Sequence, residues 1–145
     1  MIRLAADKDT RAILEIWLEA SRLAHGFVPY EFWLARVGEM ESVYLPNSET
    51  YVWEVDGEVA AFISLVGEQV AALFVRPAVQ GRGYGTKLLD FAKANRDCLS
   101  LCVYSKNARA VKFYADAGFL AVEERLEPHT GEAEILMRWT AWEAL

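Results

Sequence analysis

The sequence is poor in the residues that build covalently stapled or metal-held folds. It has two cysteines and two histidines in 145 residues, which disfavours a disulfide scaffold and a metal site. Cys98 and Cys102 fall in one expected strand, roughly 13 Å apart and beyond the reach of a bridge within it. They read as core fillers. No apolar run approaches the ~18–20 residues of a membrane span. The N-terminal stretch Met-Ile-Arg-Leu-Ala-Ala-Asp-Lys-Asp lacks the apolar core of a signal peptide. A cytoplasmic protein with no membrane partner is expected. Positive charge is short as well: 15 Lys and Arg against 21 Asp and Glu give a net charge of −6. Nucleic-acid binders carry a basic field, so a nucleic-acid partner is disfavoured. A cationic substrate such as an amine is favoured.

Apolar and aromatic residues are plentiful, at 54% and 12% of the chain. That composition excludes disorder and suits one domain over residues 1–145 with its own core. Periodicity orders the elements. Ile2 to Ala5 reads as a strand, and Asp7 to Thr10 as the capping residues of a helix that runs to about Leu23. Ile13, Ile16, Trp17, Ala20 and Ala24 form its buried stripe. His25-Gly26-Phe27 breaks it, and Pro29 opens a second helix to about Tyr44. Tyr51 to Val55 and Val59 to Val66 are strands joined by Asp56-Gly57, a two-residue hairpin signal. Gln69 to Arg76 is a strand, Gly83 to Asn95 a helix, Leu99 to Tyr104 a strand and Asn107 to Ala117 a helix. Gly118 suits the left-handed stop of that last helix. Phe119 to Leu126 and Glu134 to Trp139 close as a hairpin. The expected fold is α/β, a single mixed sheet in the order β1-α1-α2-β2-β3-β4-α3-β5-α4-β6-β7. The β4/β5 crossover should be parallel and right-handed.

The chemistry concentrates where the strand Gln69 to Arg76 runs into Gly81, Gly83 and Gly85 and then into a helix. A glycine loop at a helix start presents free N–H groups and the positive end of the helix dipole, which suits phosphate or pyrophosphate. Arg82 and Lys87 add positive charge. A dinucleotide fingerprint does not fit, because its third glycine would fall on Thr86. A Walker-type G-x-x-x-x-G-K-[ST] loop is absent.

Gln80, Gly83 and Gly85 match the pattern Q/R-x-x-G-x-G/A. Further on, Asn107, Ala110, Phe113, Tyr114, Gly118 and Phe119 match N-x-x-A-x-x-F/L-Y-x-x-x-G-F after a strand. Together these resemble the two hallmarks of the GNAT superfamily of N-acetyltransferases, in the expected order and within a matching element order over nearly the whole chain. The first third, with Ile16-Trp17, His25-x-Phe27 and an aromatic second helix, is similar to a branch of short bacterial members, the YiaC type.

The resemblance implies an acetyl-CoA-dependent N-acetyltransferase that moves an acetyl group to a primary amine by direct attack in a ternary complex. Acetyl-CoA is then the cosubstrate, with no metal. Cofactor contacts are expected from Phe74, Val75, Gln80, Gly81, Arg82, Gly83, Tyr84, Gly85, Thr86 and Asn107. Asparagine is also a favoured N-cap, and both roles can coexist at Asn107. Tyr114 falls on the buried side of its helix, where packing alone is one reading; the resemblance makes it the general acid for the departing thiolate. Glu68 is a candidate base, or else a solvent-exposed turn residue. His25, Phe27 and Val70 are candidate acceptor contacts, with ordinary packing as the alternative. The acceptor is a protein lysine, a protein N-terminus or a small amine, and the chain a monomer or homodimer. A non-catalytic acyl-CoA sensor is the rival reading.

Overall fold

Burial alternates along β5 (Cys98–Tyr104): Leu99, Leu101 and Val103 are buried, and the residues between them are half-buried. Period-two alternation of this kind gives a strand one core face and one wetter face. The computed structural model describes residues 1–142, and the last three residues of the expected domain lie outside that range. Seven strands form one sheet in the order β1-β2-β3-β4-β5-β7-β6. They are β1 (Ile2–Leu4), β2 (Glu49–Val55), β3 (Glu58–Val66), β4 (Gln69–Val75), β5, β6 (Leu120–Leu126) and β7 (Ala133–Thr140). The β4/β5 pair is parallel and the other neighbours are antiparallel. Asp56 and Gly57 both have positive φ, 51° and 80°, as the tight β2–β3 turn requires.

Helices cover both faces. On one, α1 (Thr10–Ala24) and α2 (Tyr30–Leu34) bury Ile13, Ile16, Trp17 and Trp33 against Val52, Val59 and Phe62. On the other, α4 (Tyr84–Ala94) buries Leu88, Leu89 and Ala92 against Ala61, Ile63, Leu65, Leu99 and Leu101. Each fully buried leucine contributes about 2 kcal/mol. A fifth helix, α5 (Ala108–Asp116), lies against the same cluster through Ala110, Val111, Phe113 and Tyr114.

Three expectations need correction. The second helix does not run unbroken from Pro29 to Tyr44. It stops after Leu34, resumes as α3 (Val37–Glu39) and widens into a π-turn over Met40–Tyr44. Gly38 weakens the helix there, and Ser42 Oγ donates back to its carbonyl at 2.8 Å. The wider turn keeps Met40 inside while Tyr44 faces solvent. Ala24 is exposed; Ser21 is buried in its stead. Cys98 and Cys102 are free thiols on the wetter face of β5, not core fillers, and Cys102 Sγ lies 3.3 Å from Arg125.

Candidate functional site

The site begins with a gap between strands. Arg76 N–H donates to Ala60 at 2.8 Å, and in the same register Phe74 faces Phe62 and Ala72 faces Ser64. Antiparallel ladders alternate, so Phe74 and Ala72 spend their N–H groups on β3, and those of Leu73 and Val75 point toward β5. There β5 is out of reach. The two parallel strands pair at Gln69 and Ser100, with Ser100 N–H donating to the Glu68 carbonyl at 2.9 Å. Beyond that point they diverge. Val75 and Leu73 therefore turn free donors toward the splay, and Phe74 does not.

The loop after β4 supplies a second row of donors. Val79 and Gln80 N–H groups close a short 3-10 turn onto Arg76 and Pro77. From Gly81 to Thr86 no N–H group finds an acceptor among the described residues. Gly81 and Gly83 both have φ +84°, and Gly83 stands at the N-cap of α4. An L-residue in that conformation costs about 1–2 kcal/mol. Gln80 clasps the loop: its Nε2 donates to the Val75 carbonyl at 3.2 Å, and its Oε1 accepts from Arg109 at 3.3 Å.

Gap and loop open onto one cavity of about 670 Å³, well within the range of small-ligand sites. Its walls include Leu73, Phe74 and Val75 from β4, and Gln80, Gly81, Gly83, Tyr84, Gly85 and Thr86 from the loop. Asn107, Tyr114 and their neighbours on α5 face Ala20, Leu23 and Ala24 of α1 across it. Most of the expected cofactor residues thus come together. The side chain of Arg82 is not part of this lining, and Lys87 Nζ sits over the Trp53 ring, 5.5 Å from its centroid. The cations on the cavity wall are Lys106 and Arg109. Neither stood out in the sequence, because the glycine loop draws attention to its own basic residues; the signal was their position beside Asn107.

Asn107 does cap its helix, accepting from Ala110 N–H at 3.2 Å through Oδ1. Its Nδ2 lies 3.3 Å from His25 Nε2. Tyr114 is half-buried at the cavity wall, packed edge-on to Phe113 and Phe119. Burial pushes its phenol above the usual tyrosine range. The group is a protonated donor at neutral pH, and burial alone sets its shift, with no hydrogen bond to the hydroxyl contributing.

The remaining expected residues lie elsewhere. Glu68 is exposed in the turn before β4, at the closed end of the splay, six strand residues or roughly 20 Å from Phe74. It is a turn residue here. Val70 is buried in the core beneath α4, with 5% of its surface exposed. His25 is buried in an aromatic nest of Phe27, Trp33 and Tyr104, with ring centroids 5.0–5.8 Å away. Burial pushes its imidazole down to about 4, so it is neutral. Phe27 is half-buried in the same nest, and the Lys106 ammonium lies 5.7 Å from its ring centroid. Among the described residues no group of three or more His, Cys, Asp or Glu is placed to hold a metal, and no helix is long and apolar enough to cross a membrane.

Residues 10–119 match the acetyltransferase (GNAT) family. The chain is 34% identical to peptidyl-lysine N-acetyltransferase YiaC of Escherichia coli, over all of both chains. Among solved structures, the apo form of YjaB from Escherichia coli superimposes with a TM-score of 0.85 at 23% identity, covering 96% of each chain. The PaiA N-acetyltransferase of Thermoplasma acidophilum, solved with coenzyme A, gives a TM-score of 0.80 at 17% identity, covering 97% of this chain and 98% of that one. At those identities the two structures speak for the fold.

Proposed function

The chain belongs to the GNAT acetyltransferase family, and from that premise we propose that it transfers the acetyl group of acetyl-CoA to the side-chain amine of a protein lysine. The observation that carries the proposal is the cavity in which two rows of unpaired backbone donors meet one protonated tyrosine hydroxyl. The full-length likeness to a peptidyl-lysine acetyltransferase supports lysine as the acceptor.

The chain's own groups fit an acyl-CoA. The N–H row from Gly81 to Thr86, at the positive end of α4, suits a pyrophosphate. Arg109 and Lys106 add charge at the cavity wall. The Leu73 and Val75 N–H groups, held rigid by the β3 ladder, suit the carbonyl and amide oxygens of an extended pantetheine arm and the charge that grows on the reacting carbonyl. Asn107, tied at both ends of its carboxamide, lines the same wall.

In this reading the lysine nitrogen attacks the thioester carbonyl, the C–N bond forms, and the C–S bond then breaks. The lysine ammonium loses one proton to solvent before the attack and the second as the C–N bond forms. Tyr114 donates its phenolic proton to the departing sulfur and regains one from solvent, for a net release of one proton per turnover. Burial raises the phenol, which by itself makes it a weaker acid. The same dry environment disfavours a free thiolate as well, so a proton delivered to the sulfur as it departs is worth more there than in water. Glu68 has no part in this scheme.

A peptide that carries both a free N-terminus and one internal lysine tests the acceptor. Incubated with the protein and acetyl-CoA, it should gain one acetyl group on the lysine side chain, read by fragment mass spectrometry. Acetylation confined to the N-terminal nitrogen would overturn the lysine reading.

A further inference from the structure

The cavity lining includes an ammonium group that belongs to the protein itself. Lys106, the residue before the α5 cap, lines the cavity, and its Nζ lies 2.9 Å from Glu132 Oε2. The same Nζ stands 5.7 Å from the centroid of the Phe27 ring. One contact comes from the hairpin between β6 and β7 and the other from the segment between α1 and α2, so Lys106 joins these two segments beside the cavity that it lines. We propose that the Phe27 ring and the Glu132 carboxylate form a station for the alkylammonium group of the incoming acceptor, and that Lys106 fills it as a tethered stand-in. The inference rests on the lysine-acceptor reading above and names the residues that meet the acceptor's charge.

The two sides of this contact are unequally fixed. Phe27 is locked by aromatic neighbours, 5.8 Å from His25 and 5.3 Å from Tyr104. Glu132 is set by its backbone: its N–H donates to Thr130 Oγ1 at 3.2 Å, and its carbonyl accepts from Glu127 N–H at 2.8 Å. The Glu132 side chain is 22% exposed, that of Lys106 61%. The receptor half is thus preorganised and its guest is a flexible, solvated chain. A flat aromatic face beside one carboxylate suits a primary ammonium. A guest held by an exposed ion pair and a wet cation–π contact is weakly bound and readily displaced.

The test uses n-butylammonium chloride, the side chain of lysine without its backbone, titrated into the full-length protein and followed by amide chemical shifts. Uncharged 1-butanol is the control. The expected result is a set of shifts at Phe27, Lys106 and Glu132 with the ammonium alone. Affinity should rise about two- to five-fold in Lys106→Ala, the range set by releasing one such weak contact, and be lost in Glu132→Gln. In turnover, Lys106→Ala should lower KM for a lysine peptide. Butylammonium shifts at other residues, or the same affinity in all three proteins, would overturn the station. If the ammonium binds as expected but no lysine peptide is acetylated by the wild type, the station stands and the lysine-acceptor reading fails.

Discussion

His25 Nε2 lies 3.3 Å from Asn107 Nδ2, joining the C-cap of α1 to the N-cap of α5. Because Asn107 Oδ1 already accepts from Ala110 N–H, its Nδ2 must donate, and His25 Nε2 must accept. The imidazole proton then sits on Nδ1, a buried atom with no partner. A protonated His25 would set donor against donor and bury a charge. The polar tip that makes this residue a candidate for acceptor contact in the sequence instead orients the amide at the cavity wall.

This arrangement predicts a pH signature. The imidazole drops from 6.5 to about 4 on folding because of burial. The unfolded chain therefore binds the proton more readily, so His25's contribution is complete above pH 6.5 and is lost as pH falls toward 4. The full loss is about 3 kcal/mol. In urea unfolding at pH 7 and pH 5, His25→Phe should lose about 2 kcal/mol less than the wild type between the two values. Equal losses would show that His25 titrates in the native state as it does in water.

Tyr114→Phe keeps the ring that packs on Phe113 and Phe119 and deletes the proton donor. The expected outcome is a fall in kcat of about 10²-fold or more with little change in acetyl-CoA affinity, as for a lost general acid. Unaltered kcat with chemistry rate-limiting would make Tyr114 a packing residue only.

Two glycines of the loop separate conformation from space. Gly83 has φ +84°, so Gly83→Ala strains the α4 cap by about 1–2 kcal/mol and tilts the donors that follow it. Gly85 has no such φ, and a Cβ there would lie 3.5 Å from Val75 and 3.6 Å from Phe113, ordinary contact distances. Calorimetry should show weaker CoA binding by Gly83→Ala, with the unfolding transition of Gly85→Ala close to that of the wild type. The opposite ranking of stabilities would contradict the assignment.

Lys93 ties α4 to α5. Its ammonium donates to the Ala117 carbonyl at the end of α5 and lies 5.3 Å from the Trp139 ring centroid. Lys93→Met preserves the stem and removes the charge, and should cost about 1–2 kcal/mol in urea unfolding. No loss would mean that solvent caps α5 equally well.

The fold was legible because its signals are local. Leu88, Leu89 and Ala92 at helical spacing, Asp56-Gly57 between two strands and Gly118 after a helix each act within a few residues. The donor loop and the order of the two motifs were legible for the same reason. What was not legible depends on register and on contacts between distant segments. Which of Leu73, Phe74 and Val75 offers its N–H follows from the β3 pairing and from where β5 departs. Glu68 looked close to the chemistry because it begins the right strand, yet the splay opens at the other end. The links from His25 to Asn107 and from Lys106 to Glu132 cross most of the chain or join separate loops, and no periodicity reports them.

The most direct test of the account is thiol release from acetyl-CoA, followed with and without a lysine peptide. The account predicts CoA release that requires the peptide, saturates with it and collapses in Tyr114→Phe. Acetyl-CoA binding with no release across lysine peptides, N-terminal peptides and small amines would contradict it and favour an acyl-CoA sensor. Failure to bind acetyl-CoA at all would remove the premise drawn from Gln80 to Thr86.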